Sequence, residues 1–322
     1  MNNEGKIYKT VIFVGYECNN HCRFCMEQDK RNLPVRTTEE VKREIVSARQ
    51  RGATYLELIG GETTIRPDLP EIIRFAKRKN FQTIMIATNG RMFSYRPVAE
   101  KVIKAGLNSI VFSIHGPNAK VHDYLTQSPG SFRQLEKGIK NAREIIRREK
   151  IKMHFGSNTT IVKQNYKLLP EIGEYILRQG IRNSEFIFVD CNEGGARRYF
   201  DRLVPKISDA APYINKCLEI GRRENICHWH IRYVPLCYFL GNLDRISELQ
   251  EVKTFRTEHI AQDFINFNPL ESRQKVGRRK TLRCKGCALY NNCEGIWVEY
   301  LRRLGDNELR SIGEQKTSSS YE

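Results

Sequence analysis

Three cysteines near the amino terminus have the spacing of a metal centre. Cys18, Cys22 and Cys25 form a C-x3-C-x2-C pattern, and an aromatic residue, Phe24, directly precedes the third thiol. A structural tetrahedral metal site uses four protein ligands, whereas a [4Fe-4S] cube held by three thiolates leaves one iron open. The pattern therefore favours a reactive iron-sulfur site, with half of a zinc site and chance clustering as the alternatives.

Alternating strand-like and helix-like segments must position this loop. Short apolar, β-rich runs predict buried strands, and each run is followed by a helical pattern. Buried strands separated by helices predict an α/β fold built as a partial (β/α)6 barrel of the TIM type. The predicted strands cover residues 9–15, 55–59, 82–87, 109–114, 152–161 and 185–189.

The carboxyl ends of the strands carry the functional side chains in such a barrel. Polar and glycine-rich segments fall at those ends in this chain. The cysteine loop follows the first strand, Gly60-Gly61-Glu62 the second, Thr88-Asn89-Gly90 the third and residues 190–195 the sixth. Periodicity and residue chemistry therefore predict the same active edge.

The pattern changes after the sixth unit. Residues 226–233 alternate as a half-exposed strand does. Residues 242–264 have a helical pattern, and residues 266–280 form a polar loop that leads into a second group of cysteines. We therefore predict a barrel domain over residues 1–225 and a small C-terminal domain over residues 226–322.

Composition restricts the class of protein. The chain has 322 residues, of which 40% are hydrophobic and 28% charged, so an ordinary globular protein is expected rather than a disordered or fibrous one. No apolar run approaches the roughly 20 residues that span a membrane, and the first residues lack the apolar stretch of a signal peptide. We predict a cytoplasmic protein, in which the ten cysteines are metal ligands or buried thiols rather than disulfides.

The chain is strongly basic. Lys and Arg number 54 against 37 Asp and Glu, a net charge of +17. This balance favours an acidic partner, such as nucleic acid, a phosphorylated substrate or an acidic electron carrier, although a generally basic surface is the alternative. The densest basic run, residues 273–285, contains no acidic residue.

The first cysteine pattern resembles the C-x3-C-x-aromatic-C signature of the radical S-adenosylmethionine (SAM) enzymes. Gly60-Gly61-Glu62 is similar to the GGE motif of that family, with Thr63 where proline usually follows, and Thr88-Asn89-Gly90 is similar to the end of its third strand. The resemblance implies a [4Fe-4S] cluster on the three thiols and SAM on the open iron. It also implies cleavage of SAM to a 5'-deoxyadenosyl radical that takes a hydrogen atom from the substrate.

The same resemblance implies cofactor contacts. Gly60 and Gly61 are expected to let the backbone approach the methionine amino group of SAM, with Glu62 accepting a hydrogen bond near it. Four further residues are expected near the carboxylate, the ribose or the adenine, although each could be an ordinary strand-end residue: Asn89, Ser113, Asn158 and, beside the adenine, Val189. No residue is assigned to the catalytic step itself.

The second group of cysteines resembles the auxiliary-cluster domains, called twitch or SPASM-like, of radical SAM enzymes that modify peptides and some cofactors. Cys284, Cys287 and Cys293 have C-x2-C-x5-C spacing. The resemblance implies that Cys237, which closely follows a proline, completes one auxiliary [4Fe-4S] cluster. A zinc site of the same thiols is an alternative, and so is a ligand set with His228 or His230 in place of Cys237.

A radical SAM enzyme is therefore predicted, with a peptide or protein as the expected substrate and an acidic ferredoxin or flavodoxin as the expected electron donor. Modification of an RNA nucleoside or of a phosphorylated small molecule is the alternative that the basic charge suggests. A non-catalytic iron-sulfur or zinc protein that binds nucleic acid is the alternative from another class. Among the remaining cysteines, Cys191 is expected at a strand end that faces the cavity.

Overall fold

The apolar runs of the sequence form strands where alternation and β-branched residues predict them. The computed structural model describes residues 5–313, and strands within this range have their apolar side chains packed under helices. The strands are β1 (Ile7–Phe13), β2 (Tyr55–Ile59), β3 (Thr83–Thr88), β4 (Ser109–Ser113), β5 (His154–Ile161), β6 (Asn183–Phe188), β7 (His228–Arg232), β8 (Phe255–Ile260), β9 (Ile265–Asn266), β10 (Arg278–Arg279) and β11 (Ile296–Trp297).

Helices follow the first six strands and continue through the C-terminal part. Helix α1 begins at a capping box in which Thr37 and Glu40 satisfy each other's backbone N–H groups. A proline stands in the first turn of several others, where its missing N–H costs nothing. The helices are α1 (Thr38–Gln50), α2 (Leu69–Arg78), α3 (Arg96–Ile103), α4 (Ala119–Thr126), α5 (Ser131–Glu149), α6 (Leu169–Arg178), α7 (Gly194–Arg198), α8 (Phe200–Leu203), α9 (Ile207–Arg223), α10 (Ser247–Thr254), α11 (Pro269–Ser272) and α12 (Val298–Leu304).

One large sheet organises the fold. Its strand order is β7-β6-β5-β4-β3-β2-β1-β8-β9, and every neighbouring pair is parallel except β8 with β9. The parallel strands and the helices between them confirm the predicted α/β fold, a partial barrel. Strands β7 and β8 do not pair with each other, and α10 packs against both of them. The helix therefore fills the lateral opening of the barrel.

The inner face of the barrel carries polar side chains. Ser113, Asn158, Glu185 and His230 lie opposite one another in register across β4, β5, β6 and β7. On β4 the preceding residue, Phe112, packs outward against Phe93, so Ser113 points to the opposite, inner face. A continuous row of hydrogen-bonding groups thus crosses the interior.

Beyond residue 225, the predicted half-exposed strand over residues 226–233 is present as β7, whereas the predictions for the rest of the chain are partly wrong. Strand β7 extends the barrel sheet, and β8 pairs with β1, so the sheet continues past the predicted domain boundary. Within residues 242–264, only α10 is an α-helix, and residues 255–260 form the strand β8 instead of continuing the predicted helix. Glu258 is buried in β8, where it accepts hydrogen bonds from Arg51 (2.8 and 2.9 Å) and Tyr8 (2.7 Å). A buried charge on the strand hid its alternation. The predicted loop over residues 266–280 contains β10, α11 and a π-turn.

A membrane-spanning helix needs about 20 predominantly apolar residues. None of the helices between residues 5 and 313 combines the length and the apolar character that crossing a bilayer requires.

Candidate active site

The first three cysteines lie in one loop between β1 and α1, at the carboxyl end of the barrel. Cys18, Cys22 and Cys25 are all half-buried. The loop is fixed to the end of α4, because the backbone N–H groups of His21 and Arg23 each donate a hydrogen bond of 2.9 Å to α4 carbonyls. The loop is thus held by backbone contacts in addition to any metal it binds.

A diglycine after β2 packs against this loop. Gly60 has φ +130°, and a Cβ added to it would lie 2.1 Å from the carbonyl oxygen of Gly15. A Cβ on Gly61 would lie 2.0 Å from the carbonyl oxygen of Glu17. Only glycine permits this approach, so the first structural role of the predicted GGE motif is to receive the start of the cysteine loop.

A second diglycine, after β6, packs against the other end of the loop. A Cβ on Gly195 would lie 2.1 Å from the carbonyl oxygen of Arg23, and one on Gly194 would lie 2.3 Å from that of Cys25. The Gly195 N–H also donates a 2.9 Å hydrogen bond to the Cys25 carbonyl. The cysteine loop is therefore clamped between two glycine pairs from opposite sides of the barrel.

Glu62 joins the ends of β2 and β3. Its buried carboxylate accepts hydrogen bonds from the Thr64 N–H (3.0 Å), the Thr88 hydroxyl (2.6 Å) and the Asn89 N–H (2.6 Å). Burial raises the pKa of Glu62, and these hydrogen bonds oppose the shift. Thr63, which replaces the usual proline, donates its hydroxyl to the Ala87 carbonyl (3.1 Å), so this departure from the motif adds a bond to β3.

Asn89 and Arg91 connect the end of β3 to the cysteine loop. The Asn89 side chain donates to Asn19 (2.7 Å) and lies 4.0 Å from the Cys18 sulfur. The Arg91 guanidinium donates to the side chain of Asn20 (2.9 Å) and to the Asn19 carbonyl. Sequence reasoning missed Arg91 and both asparagines. The signal was present, since the asparagines stand between the first two cysteines and the arginine directly follows Thr88-Asn89-Gly90.

The remaining predicted SAM contacts lie deeper in the barrel. Ser113 and Asn158 are half-buried neighbours on the inner face. Val189 is 1% exposed at the end of β6, and its N–H donates to the Ile161 carbonyl (3.3 Å). The two polar residues can therefore meet a bound molecule through their side chains, whereas Val189 offers apolar packing.

Charged side chains line another part of the barrel interior. Lys9 contacts Glu251 (3.6 Å), and Arg232 contacts Glu185 (2.8 Å) and Glu251 (3.2 Å). Burial would raise the pKa of Glu251, but the nearby positive charges outweigh burial and hold it at about 2. Asp190, just after β6, has the opposite shift, because burial raises its pKa to about 6. Asp190 is thus a carboxyl that changes protonation near neutral pH.

The four C-terminal cysteines come together. Cys237, Cys284, Cys287 and Cys293 line one small cavity, whose wall includes Leu236, Leu289 and Leu309. Backbone N–H groups of Leu236 (3.5 Å) and Gly295 (3.3 Å) point at the Cys293 sulfur, and that of Ile312 (3.4 Å) points at the Cys287 sulfur. Thiols with N–H donors in an apolar wall fit an iron-sulfur group.

Neither histidine of the alternative ligand set reaches this cavity. His228 and His230 lie on β7, and the described residues that line the cavity include neither of them. Across residues 5–313, no group of three or more His, Cys, Asp or Glu side chains is arranged to hold a metal ion. A four-iron cube keeps its thiolates farther apart than a single ion does, so the two arrangements are not interchangeable.

Cys191 is fully buried in the hydrophobic core. It lies just after the end of β6, where the sequence predicts a strand end, and burial raises the pKa of its thiol. The thiol therefore packs as a small apolar group.

Several cations of the basic run form ion pairs with acidic residues of the protein. Within the described chain, Arg273 pairs with Glu294 (3.2 Å) and Arg278 pairs with both Glu248 (2.9 Å) and Glu294 (3.0 Å). Two more cations of the run contact acidic residues at the surface: Lys275 contacts Glu271 and Arg283 contacts Asp306. The sequence could not show these pairs, because all four acidic partners lie outside the run.

Comparison with known proteins identifies the family. Residues 12–176 match the Radical SAM superfamily model. The chain belongs to the radical SAM superfamily. It is accordingly a radical SAM enzyme, and the family implies a [4Fe-4S] cluster and SAM as its cofactors.

Two curated relatives carry different names. The AdoMet-dependent heme synthase of Methanosarcina barkeri is 33% identical over 165 residues, which cover 48% of this chain and 45% of that protein. The probable GTP 3',8-cyclase of Saccharolobus solfataricus is 26% identical over 224 residues, 69% of each chain. The enzyme therefore matches less than half of the first relative and about two thirds of the second.

Solved structures share the fold. SuiB of Streptococcus suis bound to the precursor peptide SuiA has a TM-score of 0.64 at 15% identity, over 93% of this chain and 73% of SuiB. SuiB bound to S-adenosylmethionine gives 0.63 at 15% identity, over 98% of this chain and 78% of SuiB. At this identity the likeness establishes the partial-barrel architecture of the enzyme.

Proposed function

We propose that this enzyme cleaves SAM reductively and takes a hydrogen atom from a peptide or protein. Cys18, Cys22 and Cys25 would hold the [4Fe-4S] cluster, whose open iron accepts the methionine end of SAM. When bound, the cluster and SAM supply the 5'-deoxyadenosyl radical. The observation that carries the proposal is the three-thiol loop, clamped between two glycine pairs at the mouth of a barrel of this superfamily.

The chain's own residues would position the cofactor. The loop backbone is fixed by Gly60 and Gly61, and by Glu62 through its bonds to the end of β3. Asn89 lies beside Cys18, so it is suited to the methionine carboxylate or the ribose. The polar pair Ser113 and Asn158 offers further hydrogen bonds on the inner face, and Val189 offers an apolar contact for the adenine.

A second [4Fe-4S] cluster is part of the proposal. Cys237, Cys284, Cys287 and Cys293 would hold it in a twitch or SPASM-like C-terminal region, apart from β7 and β8, which belong to the barrel sheet. Support comes from their shared cavity and from the N–H groups directed at two of the sulfurs. Four protein thiolates leave this cluster no open iron, so it would be suited to electron transfer.

The peptide substrate is favoured by one comparison. SuiB, which shares the fold over 93% of this chain, was solved with a precursor peptide. A phosphorylated small molecule is the second candidate, favoured by the GTP 3',8-cyclases among the relatives. An RNA substrate has less support, because much of the basic run is paired within the protein. The net charge of +17 suits an acidic ferredoxin or flavodoxin as electron donor.

The test is anaerobic reconstitution followed by dithionite and SAM. We expect about eight irons per chain, since each cluster contains four, and release of 5'-deoxyadenosine. Cys22→Ala should abolish that release, whereas Cys287→Ala should keep SAM cleavage while the protein loses about half of its iron. Intact clusters without any 5'-deoxyadenosine would refute the proposal.

The substrate is tested separately. Candidate peptides and GTP are each supplied in deuterated form, and deuterium in 5'-deoxyadenosine identifies the molecule that donates the hydrogen atom. Transfer from GTP and from no peptide would refute the peptide assignment while leaving the radical chemistry in place.

A further inference from the structure

We propose that the exposed basic face around the C-terminal thiol cavity is the docking site of an acidic electron-carrier protein, which exchanges single electrons with the second cluster. The inference rests on the proposed second [4Fe-4S] cluster and names the partner of that site. It gives a function to the cations of the basic run that form no ion pair within the described chain.

The segment that carries three of the four thiols is strongly basic. Residues 272–293 contain seven Lys and Arg and no Asp or Glu. Four of the seven contact carboxylates: Arg273, Lys275, Arg278 and Arg283. The other three make no ion pair with residues 5–313: Arg279, Lys280 and Lys285. An uncompensated positive charge therefore surrounds the thiols.

These cations lie at the thiol cavity itself. Lys280, Tyr290 and Arg310 line the same cavity as the four thiols. Three of those thiols are only half-buried, at positions 284, 287 and 293. A cluster held there would lie close to the protein surface. Electron transfer between proteins slows steeply with the distance between redox groups, so a carrier docked on this face would be well placed to exchange electrons.

Two of the cations are held in place by aromatic rings. The Nζ of Lys280 donates a 2.8 Å hydrogen bond to the Tyr290 carbonyl and lies 4.0 Å from the centre of the Tyr290 ring. The guanidinium carbon of Arg310 lies 5.3 Å from the centre of the Tyr238 ring. Cation–π contacts orient a positive charge without neutralising it. The face thus presents fixed charges to an acidic partner.

An exposed leucine lies among these charges. Leu282 is 89% exposed, more than any other large hydrophobic side chain among residues 5–313. It begins the 3-10 turn Leu282–Cys284, so it lies two residues before a cluster ligand. An apolar anchor inside a charged rim is the composition of a protein docking surface. The basic rim selects an acidic partner and increases its rate of association.

The same charges would attract nucleic acid, but two observations favour a protein carrier. Proteins that bind single strands stack bases on free aromatic faces. Here Lys280 lies over the Tyr290 ring and Arg310 lies over the Tyr238 ring, which removes those faces from stacking. A cluster with four thiolates is also suited to electron transfer, which requires a redox partner.

A flavodoxin is a suitable probe for the electron step. The reduced cluster would change from [4Fe-4S]1+ to [4Fe-4S]2+ by giving up one electron. The oxidised flavin takes up that electron together with one proton from water and becomes the neutral semiquinone. No other bond forms or breaks.

The first experiment measures docking. Oxidised flavodoxin is titrated anaerobically into the reconstituted protein, and the dissociation constant is obtained by calorimetry. The double variant Leu282→Ser/Lys285→Glu should raise that constant at least about tenfold. Lys152→Glu is the matched control, because Lys152 is exposed just before β5, at the amino end of the barrel, and should leave the constant unchanged. Raising the ionic strength from about 0.01 M to about 0.1 M should weaken wild-type binding, since the Debye length falls from about 30 Å to about 10 Å.

The second experiment measures the electron step. It uses Cys22→Ala protein, in which the second cluster would be the only one, after photoreduction. Mixing with oxidised flavodoxin should produce the semiquinone absorbance, and the docking variant should slow its appearance at least about tenfold at low flavodoxin concentration. Absence of the semiquinone from a fully reduced cluster would overturn the inference.

The docking results decide in the same way. An unchanged dissociation constant in the double variant would overturn the inference, and so would an equal loss in Lys152→Glu, which would indicate a general effect of net charge. Tighter binding of a single-stranded RNA than of flavodoxin, abolished by the same double variant, would overturn it in favour of nucleic acid. If the double variant loses iron, Arg279→Glu decides in its place, because Arg279 is exposed and does not line the cavity.

Failure of the proposed function gives a different result. Wild-type protein with about four irons instead of about eight would refute the second cluster itself. Full iron content without flavodoxin binding would overturn only the docking site.

Discussion

Arg278 is the residue whose removal tests how the C-terminal thiol site is held together. Its guanidinium is 1% exposed and contacts the carboxylates of Glu248 (2.9 Å) and Glu294 (3.0 Å). It also donates to the carbonyls of Val234 (2.9 Å) and Gly295. Val234 leads to the cysteine at position 237 and Gly295 follows the cysteine at 293, so one side chain joins two segments that each carry a thiol.

The size of the expected loss in stability follows from the carboxylates that lose a partner in Arg278→Met. Methionine keeps much of the length of the side chain, so the main loss is of charge and hydrogen bonds. Glu294 retains its contact with Arg273 (3.2 Å), whereas Glu248 keeps one hydrogen bond, from the Tyr233 N–H (2.7 Å). Breaking a buried ion pair by removing one partner costs about 3–5 kcal/mol. That is a large fraction of the roughly 5–15 kcal/mol by which a domain is stable.

Two measurements check this prediction. Urea denaturation should show the loss in free energy of unfolding. Iron analysis should show about half the wild-type iron, because the hydrogen bonds and ion pairs of Arg278 involve no residue of the first cysteine loop, which should stay loaded. Arg279→Met is the matched control. Arg279 is exposed and donates to the carbonyls of Lys275 and Arg278, so its removal should leave both quantities nearly unchanged.

One result would refute the reasoning. If Arg278→Met lost less than about 1 kcal/mol, the value of a single ordinary hydrogen bond, and kept its full iron content, the buried ion pairs would not be what holds the two thiol-bearing segments together. Equal losses in Arg279→Met would refute it as well, because that side chain makes no buried ion pair.

Three further predictions concern the barrel. Gly195→Ala should lower the iron content of the first site and spare the second, since its Cβ would lie 2.1 Å from a carbonyl oxygen of the cysteine loop. The control Gly241→Ala, whose Cβ would have no atom within 4 Å, should bind the full amount of iron, and equal iron contents in the two variants would contradict the prediction. Thr63→Pro introduces the residue that the family usually has. Urea denaturation should show a change of about 1 kcal/mol or less in the free energy of unfolding, which is the value of the Thr63 hydroxyl bond to β3. A larger loss would mean that the hydroxyl does more than replace the proline. Burial raises the pKa of Asp190 to about 6, so its contribution to stability is present at low pH and is lost as pH rises through that value. The stability of Asp190→Asn relative to wild type should therefore increase between about pH 4 and pH 7, measured by urea denaturation across that range. A constant difference for Asp190→Asn would contradict the assigned shift.

The sequence predicts the barrel well where apolar runs dominate. All six predicted strands exist, with ends within about three residues of the predicted ones. It fails at β8, because the buried Glu258 is satisfied by Arg51 more than 200 residues away in the chain. The local sequence pattern around Glu258 contains no information about a partner so distant in the chain. Buried charges at Arg278 and Glu294 hid the compact C-terminal structure for the same reason.

The candidate site shows a related limit of local reasoning. The motifs at the ends of β2, β3 and β6 are readable from the sequence, yet the contacts that unite them are between backbones. The cysteine loop leaves β1, bonds to the end of α4, and meets diglycines that follow β2 and β6. A loop held at these points crosses the mouth of the barrel. Its thiols are then above the inner row that includes Ser113 and Asn158, and we expect SAM and the substrate to occupy the space between them.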